Sequence, residues 1–373
     1  MKHVVVAVLA IAACKREAPP ARALTSPTLA EAEAFAKDFV TVMVPCNAAK
    51  LQGLIDTEIL ATRVLAGHDL SKAEADGFHA GFRTTVGTQF CGGFGAGNPT
   101  YRYLRTQMIE GVPRPLFRVT GDTGFNYHQL ELDKDTGKIK IADIYVYAIG
   151  EPLSQVLSAT VKTLYLDTKS NPEEIKHQAE VVSEATKLLQ VGQAKEALAL
   201  IDQLPPEVRK LKMYKILELQ ASAGDAERLR RVSTEYETLF PNDPSYEIIM
   251  LEPLTAMKRF PEALALIDRL DKRVGGDPYL DGMRAHIYTE TGKYPDAIAA
   301  AKRAVAGEPT IPDAYWMLVA AQTANKDFAG AIATLETVRE TLKLSVDAEL
   351  LRSDERFVPL VESKEYAAWT KRQ

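Results

Sequence analysis

Two short segments carry residue types that bind ions, and both depart from the pattern that binding needs. Residues 133–135 begin with the acidic spacing of a calcium loop, but Gly137 stands where a third ligand belongs and Ile144 where a bidentate glutamate belongs. Residues 92–97 have only the glycine content of a phosphate-binding loop, because they lead into a predicted strand rather than a helix. The six histidines are scattered without the spacing of a metal site. We therefore predict no metal and no cofactor, with a hairpin turn after residue 135 and a flexible loop over 92–97.

The first residues predict export. Lys2 and His3 precede an apolar run over residues 4–13, which is too short to span a bilayer and is typical of a signal segment. The run ends in Ile11-Ala12-Ala13-Cys14, which resembles the lipobox of bacterial lipoproteins. The resemblance implies that residues 1–13 are removed, that Cys14 is diacylated, and that the lipid anchors the chain in the cell envelope. Labelled palmitate should then be incorporated at Cys14. In lipoproteins of this type, an aspartate directly after the cysteine often signals retention in the inner membrane. Lys15 stands there instead, so the resemblance favours the outer membrane, with the chain facing the periplasm.

Two other interpretations of this segment remain open. Residues 10–12 also fit the cleavage site of an ordinary secretory signal, and the apolar run also fits a buried N-terminal strand. Residues 14–27 are rich in charge and proline, which predicts a flexible tether in front of the first domain.

The remaining cysteines form an even pair once Cys14 is assigned to the lipid. In an exported domain, Cys46 and Cys91 are candidates for a disulfide. The chain-entropy estimate for closing such a loop is about 4 kcal/mol of stabilisation. Two buried thiols are the alternative.

Length and composition limit the classes of function. The 373 residues, of which 46% are hydrophobic, are enough for two domains with their own cores. The net charge is −5 at pH 7, and no basic stripe suited to nucleic acid is present. After the signal segment, no second apolar stretch is long enough to span a membrane.

A period of 34 residues emerges when the chain is cut at Lys210, Pro244, Pro278 and Pro312. A column of small residues then contains Ala263, Ala297 and Ala331, with Leu229 as the exception, and the column three residues earlier contains Phe260, Tyr294 and Phe328. These columns resemble those of tetratricopeptide repeats. The resemblance implies an all-α solenoid over residues 171–345 with five helix-turn-helix units, which we number repeats 1 to 5: residues 178–209, 210–243, 244–277, 278–311 and 312–345.

In this family, the first helix of each repeat lines a concave groove that binds a peptide or protein. The corresponding positions are Tyr214, Lys215, Glu218, Ile248, Glu252, Tyr279, Met283, His286, Glu290, Trp316 and Met317. Aromatic and methionine side chains offer large contact areas, and the three glutamates favour a partner with basic character. An alternative for any one of these residues is burial beneath a neighbouring repeat.

Two segments flank the repeats. Residues 346–373 lose the period but keep apolar residues, which predicts a segment that caps the last repeat. Residues 151–170 carry an amphipathic pattern that predicts a helix connecting the solenoid to the N-terminal domain.

Residues 28–150 predict an α+β domain. Helical patterns cover residues 29–44, 48–65 and 70–86, and strand patterns cover 101–109, 116–120, 125–132 and 138–147. The order of helices followed by a curved antiparallel sheet resembles the cone of nuclear transport factor two and its cystatin-like relatives. Enzymes of that superfamily place an aspartate and a tyrosine or histidine inside the cone. The candidates here are Tyr103, Tyr127, His128 and Asp143, although no spacing marks them as a catalytic set.

The sequence thus predicts an α+β domain joined to an all-α tetratricopeptide-repeat solenoid. We expect a non-catalytic envelope lipoprotein whose groove binds an envelope protein or peptide, without nucleic acid. The alternative is a small-ligand sensor or enzyme with its site in the N-terminal cone and with the repeats used for docking.

Overall fold

The computed structural model describes residues 23–94, 100–121, 124–162 and 172–372. The chain divides into two compact units, a first unit that ends at Ile249 and a second unit that begins at Met250. The predicted signal segment, Cys14, residues 95–99 and residues 163–171 lie outside the described residues. Within the described ranges, no helix is long and apolar enough to cross a membrane.

Four helices open the first unit: α1 (Leu29–Met43), α2 (Ala48–Leu54), α3 (Thr57–Leu65) and α4 (Lys72–Phe94). A capping box starts α1, because the Thr28 hydroxyl accepts from the Glu31 N–H and the Glu31 carboxylate accepts from the Thr28 N–H. Ala32, Ala36 and Phe39 follow at helical spacing and are buried, so this face of α1 packs into the core.

The single helical pattern predicted over residues 48–65 is two helices, and the prediction was wrong at residues 55 and 56. Ile55 forms a bridge with Ile141 of the sheet, and the Asp56 N–H donates to the Ile141 carbonyl at 2.8 Å. The Asp56 carboxylate then caps α3 by accepting from the Ile59 N–H at 3.0 Å. The chain leaves the helical path here because the sheet satisfies its backbone instead.

The helices are followed by a five-stranded antiparallel meander, β1 (Thr100–Ile109), β2 (Val112–Gly121), β3 (Gly124–Asp135), β4 (Lys138–Val146) and β5 (Glu151–Pro152), in sequential order. The turns Glu110-Gly111 and Thr136-Gly137 have positive φ at both positions, as a two-residue hairpin requires. The acidic residues before Gly137 therefore belong to a hairpin. The α+β fold class is confirmed for this domain.

The α1 helix packs on β1 and β2, α2 and α3 contact β4, and α4 packs on α2 and α3. Phe39 and Phe117 meet edge to face with ring centroids 5.2 Å apart, and Leu130 and Ile141 are fully buried in the same core. Bulges interrupt the register after Tyr103 and after Glu131. The interior of the domain is filled by apolar side chains.

After β5, the helix α5 (Leu153–Val161) occupies only the first part of the predicted connector. Residues 151 and 152 pair with β4 instead of starting the helix. The Ser154 hydroxyl donates to the Asp143 carboxylate at 2.5 Å, which ties α5 to β4. The remainder of the predicted connector, from residue 163 to 170, lies outside the described residues.

The sheet and repeat 2 are joined in the first unit by polar contacts around Gly150. The Lys212 ammonium donates to the Ile149 carbonyl and forms an ion pair with Asp243 at 2.7 Å. The Asp243 carboxylate also accepts from the N–H and the hydroxyl of Ser245, each at 2.8 Å. Gly150 lies so close to Ser245 that a Cβ at Gly150 would approach the Ser245 nitrogen to 2.8 Å. The junction is therefore tightly fitted.

The rest of the chain is helical, and each predicted repeat contains a helix pair. The first helices are α6 (Pro172–Gln190), α9 (Lys212–Ala221), α11 (Tyr246–Ile249) with α12 (Leu251–Ala256), α14 (Pro278–Glu290) and α16 (Pro312–Ala324). The second helices are α7 (Ala194–Ile201), followed by the single turn α8 (Pro206–Arg209), then α10 (Ala226–Leu239), α13 (Phe260–Val274), α15 (Tyr294–Gly307) and α17 (Phe328–Leu342). The all-α fold class of this region is confirmed.

The small-residue column has a clear packing role. Ala263, Ala297 and Ala331 have no exposed surface, and each lies in the first turns of a second helix. A larger side chain at these positions would push the paired helices apart, since protein interiors are close-packed.

Repeat 3 differs from the others because its first helix is broken at Met250. In a continuous helix Pro253 would have no N–H to donate to the carbonyl four residues earlier, and its ring would clash with that carbonyl. The chain therefore leaves α11 at Ile249 and resumes as α12 at Leu251.

The C-terminal segment caps repeat 5 with α18 (Ala348–Arg352), the 3-10 turn Glu355–Phe357, α19 (Val358–Val361) and α20 (Lys364–Thr370). Phe357, Leu360, Tyr366 and Trp369 are buried with residues of α16 and α17 in one apolar cluster. An apolar end of the repeat stack is thereby shielded from water.

Candidate interaction face

The predicted groove residues of the first unit are mostly internal. Lys215, Glu218 and Ile248 are buried, and Tyr214 is half-buried, so that burial raises the pKa of its hydroxyl. Three of these four side chains hold helices together rather than face solvent. Their prediction as peptide contacts does not fit this burial.

An ion network explains why two charged residues are buried there. The Lys215 ammonium donates to the Glu218 carboxylate at 2.9 Å, and Arg228 of α10 donates to Glu218 at 2.7 Å. Arg228 also forms a two-pronged pair with Asp202, with both distances 2.7 Å. Burial alone would raise the pKa of Glu218, but the hydrogen bonds from Lys215 and Arg228 outweigh it and hold that pKa below its usual value.

Two predicted groove residues of the second unit pack partly against other residues of the chain. The Trp316 ring lies 5.9 Å from the ring of Phe357 in the capping segment. The Met317 sulfur fills the space above Gly282, where a Cβ would approach it to 2.7 Å. Both side chains are half-buried on α16. They contribute to the packing of repeat 5 and also keep some exposed surface.

The other five predicted residues of the second unit keep surface available. Glu252 on α12 and His286 and Glu290 on α14 are exposed, and Tyr279 and Met283 are half-buried. The four residues on α14 recur at spacings of four, three and four, which places them on one stripe of the helix. We call these five residues the inner stripe.

Among the described residues, neither carboxylate of the inner stripe is within ion-pair distance of a cationic side chain, although Glu290 interacts at longer range with the Arg356 guanidinium. Protein around Glu252 raises the pKa of its carboxyl by desolvation, even though the residue keeps exposed surface. Accessible carboxylates, together with the aromatic ring and the methionine on α14, suit basic and apolar groups of a partner.

Arg284, on the same helix as the stripe, shows the contrasting arrangement. It stands where the repeat pattern has leucine, and it is 9% exposed. Its guanidinium donates to Asp268 and Asp271 at 2.9 Å each and pairs with Asp281 at 3.3 Å. These carboxylates are neutralised internally. An arginine at an apolar position of the repeat pattern was the sequence signal for this cluster.

The four candidate residues of the N-terminal domain do not converge. Tyr103 and His128 both align with Phe117 and lie on the helix-facing side of the sheet. Tyr127 and Asp143 lie on the opposite side, because side chains alternate along a strand and Asp143 pairs with Glu131. The structure therefore does not assemble these four residues into one site.

His128 and Asp143 each have internal partners. A His128 ring nitrogen lies 2.8 Å from the hydroxyl of Tyr101, and burial lowers the pKa of His128 to about 3 while it raises the pKa of Tyr101. Asp143 accepts from Ser154 and lies 3.3 Å from Arg63. Both arrangements are typical of satisfied buried polar groups.

Cys46 and Cys91 are joined by a disulfide across 45 residues. It connects the loop after α1 to the last turns of α4, and both cysteines pack against the domain core. In the part of the chain that the structure describes, no cluster of three histidine, cysteine, aspartate or glutamate side chains is suited to a metal ion.

One comparison with known proteins bears on this region. Residues 288–350, from the end of α14 into the capping segment, match the tetratricopeptide repeat family. No curated protein and no solved structure matches the chain. Tetratricopeptide repeats are scaffolds for protein–protein interaction, and this match supports that class of function here. The resemblance of the N-terminal domain to the transport-factor cone stays a prediction.

Proposed function

We propose that this chain is a non-catalytic, lipid-anchored protein of the bacterial cell envelope that binds another protein through the inner stripe. One observation carries the proposal. The stripe lies on the first helices of repeats 3 and 4, and residues 288–350, which begin within the stripe, match a protein-binding repeat family. The stripe includes the three predicted groove residues of the second unit that are exposed, Glu252, His286 and Glu290.

The chemistry of the stripe defines the partner. Glu252 and Glu290 offer negative charge that no described cation neutralises in an ion pair, and Tyr279 and Met283 offer apolar contact. A partner segment with lysine or arginine next to apolar side chains satisfies both requirements, since complementary charge increases specificity and the association rate. We therefore propose a basic, amphipathic segment of an envelope protein.

Charge reversal on the stripe tests this proposal. Glu252→Lys/Glu290→Lys is expected to reduce capture of the partner from crosslinked cells by about tenfold or more, because two attractive contacts become repulsive. The readout is quantitative mass spectrometry of proteins that copurify with the tagged full-length chain. Circular dichroism checks that the variant is folded.

A matched control carries the same change in net charge on second helices. Asp296 on α15 and Glu340 on α17 are exposed and have no ion pair among the described residues. Asp296→Lys/Glu340→Lys is expected to leave capture unchanged. Equal losses in both variants would show that net charge rather than the stripe controls binding.

The membrane anchor is a separate part of the proposal, because Cys14 lies outside the described residues. Its support is the apolar run and the lipobox resemblance. We expect labelled palmitate to be incorporated into the wild-type chain and not into Cys14→Ser, with the variant released from the membrane fraction. Equal labelling of both chains, or labelling of neither, would favour the secretory or buried-strand interpretation.

A further inference from the structure

The helix α4 is bridged by a side chain from α2. The Gln52 amide nitrogen donates to the Arg83 carbonyl at 2.9 Å, and the Gly87 N–H donates to the Gln52 amide oxygen at 2.8 Å. The Arg83 carbonyl and the Gly87 N–H are four residues apart, the spacing that a regular helix bonds directly. Insertion of a side chain between such groups is a recognised cause of helix bending.

Glycine at position 87 makes this bridge possible. A Cβ there would approach the Ala48 carbonyl oxygen to 2.3 Å, so α2 comes closer to α4 than any side chain would allow. The helix contains five glycines, each of which weakens a helix interior by about 1 kcal/mol relative to alanine. The segment from Gly87 to Phe94 therefore has little helical stability of its own.

The disulfide lies on the far side of this weak point. Cys91 is one turn beyond Gly87, and its partner Cys46 lies in the loop between α1 and α2. Both cysteines pack against the edge of the core and are half-buried rather than fully enclosed. Val86, directly before this segment, and Phe90 within it are buried in the core. The covalent bond and these two apolar contacts hold the last turns of α4 in place.

We propose that the Cys46–Cys91 disulfide is a redox-sensitive clamp on residues 87–94, and that a dithiol reductant opens it without unfolding the domain. A thiolate of the reductant attacks one sulfur of the bond and forms a mixed disulfide, which releases the other cysteine as a thiolate that takes up a proton. The second thiol of the reductant then attacks the mixed disulfide and releases the second cysteine. The chain gains two electrons and two protons, and the dithiol becomes a disulfide.

The consequence is local, because the bridge at Gln52 separates the clamped segment from the rest of α4. The α4 helix packs on α2 and α3, and in its last turns Phe90 is buried in the core beside the disulfide at Cys91. Opening the clamp is expected to release the end of the helix and the loop that carries Cys46 together. The cognate reductant would be a thiol–disulfide oxidoreductase with a dithiol active site.

Hydrogen exchange on the full-length chain, oxidised and after treatment with dithiothreitol, tests the clamp. We expect amides of residues 88–94 to exchange about tenfold faster or more after reduction, while amides of residues 74–82 and of β3 change little. The Cys46→Ser/Cys91→Ser variant should reproduce this pattern without reductant. If the variant does not fold, reduced wild-type protein decides the matter.

Three results would overturn the clamp. The first is resistance of the bond to dithiothreitol in the folded chain. The second is unchanged amide exchange over residues 88–94 after reduction. The third is an equal loss of amide protection across α4 and the sheet. The last result would identify the disulfide as a staple of the whole domain. None of these outcomes bears on the inner stripe, so the two proposals can fail independently.

Discussion

Replacing Gly150 with alanine is expected to destabilise the first unit by about 3 kcal/mol, measured by chemical denaturation. Gly150 has a φ of +76°, which costs a residue with a side chain roughly 1–2 kcal/mol. The added Cβ would also lie 2.8 Å from the Ser245 nitrogen and 3.0 Å from the Asp243 carboxylate. Overpacking of this kind costs about 1–3 kcal/mol, because backbone atoms must move apart.

Gly67 provides the matched control for this substitution. It has nearly the same φ, +79°, but no atom lies within 4 Å of the position that a Cβ would occupy. Gly67→Ala should therefore show only the conformational penalty of roughly 1–2 kcal/mol. Equal losses in the two variants would mean that the junction between the sheet and repeat 2 yields easily, contrary to the tight fit described above.

Replacing Arg228 with methionine is expected to destabilise the first unit by about 3 kcal/mol. The substitution leaves Glu218, whose side chain is 4% exposed, with Lys215 as its remaining cation and removes both bonds to Asp202. Removal of one partner from a buried ion pair typically costs about 3–5 kcal/mol, and the remaining lysine places the effect at the low end. Arg231→Met is the control, because that side chain is 58% exposed and pairs with Glu235 at only 3.9 Å. It should change stability by less than about 0.5 kcal/mol.

The same network predicts a pH dependence. The pKa of Glu218 is lower in the folded chain than its usual value, so the folded state favours the ionised form. The stabilisation is complete above the unfolded pKa of about 4.3 and is lost as the pH falls through the lower folded pKa. In Arg228→Met this loss should be smaller. Denaturation curves of both proteins between pH 3 and pH 6 are the measurement; parallel curves would contradict the assigned role of Arg228.

The repeat architecture was predictable because it depends on residues whose roles recur. The alanine column at 263, 297 and 331 marks close helix contacts, and all three residues are fully buried. The hairpin at Gly137 was likewise predictable, since glycine after aspartate and threonine favours a turn, and Gly137 has the positive φ of one. Local chemistry decides these features, so a single sequence contains them.

Features that depend on distant contacts were not predictable. The break at Asp56 exists because Ile141, 85 residues later, supplies a backbone acceptor. Lys215 and Glu218 occupy first-helix positions, but their burial depends on Arg228 and on the neighbouring helices. A periodic pattern identifies the face of a helix and does not show whether another part of the chain covers it.

The N-terminal domain illustrates the same limit for a candidate site. The sequence placed Tyr103, Tyr127, His128 and Asp143 in strands, which is where the structure has them. Tyr127 and His128 are consecutive, so alternation alone puts them on opposite faces. The faces of Tyr103 and Asp143, by contrast, depend on the register with its bulges after Tyr103 and Glu131. Register is set by pairing across strands, and strand propensity alone does not determine it.

Site-specific photocrosslinking tests the central claim, that the inner stripe binds another protein, most directly. A photoreactive phenylalanine analogue at His286, which is exposed on α14, is compared in intact cells with the same analogue at Lys302, which is exposed on the second helix α15. We predict one discrete protein adduct from position 286, none from position 302, and loss of the adduct when Glu252→Lys/Glu290→Lys is added. The same adducts from both positions, or an adduct from position 286 that survives the charge reversal, would contradict binding at the stripe.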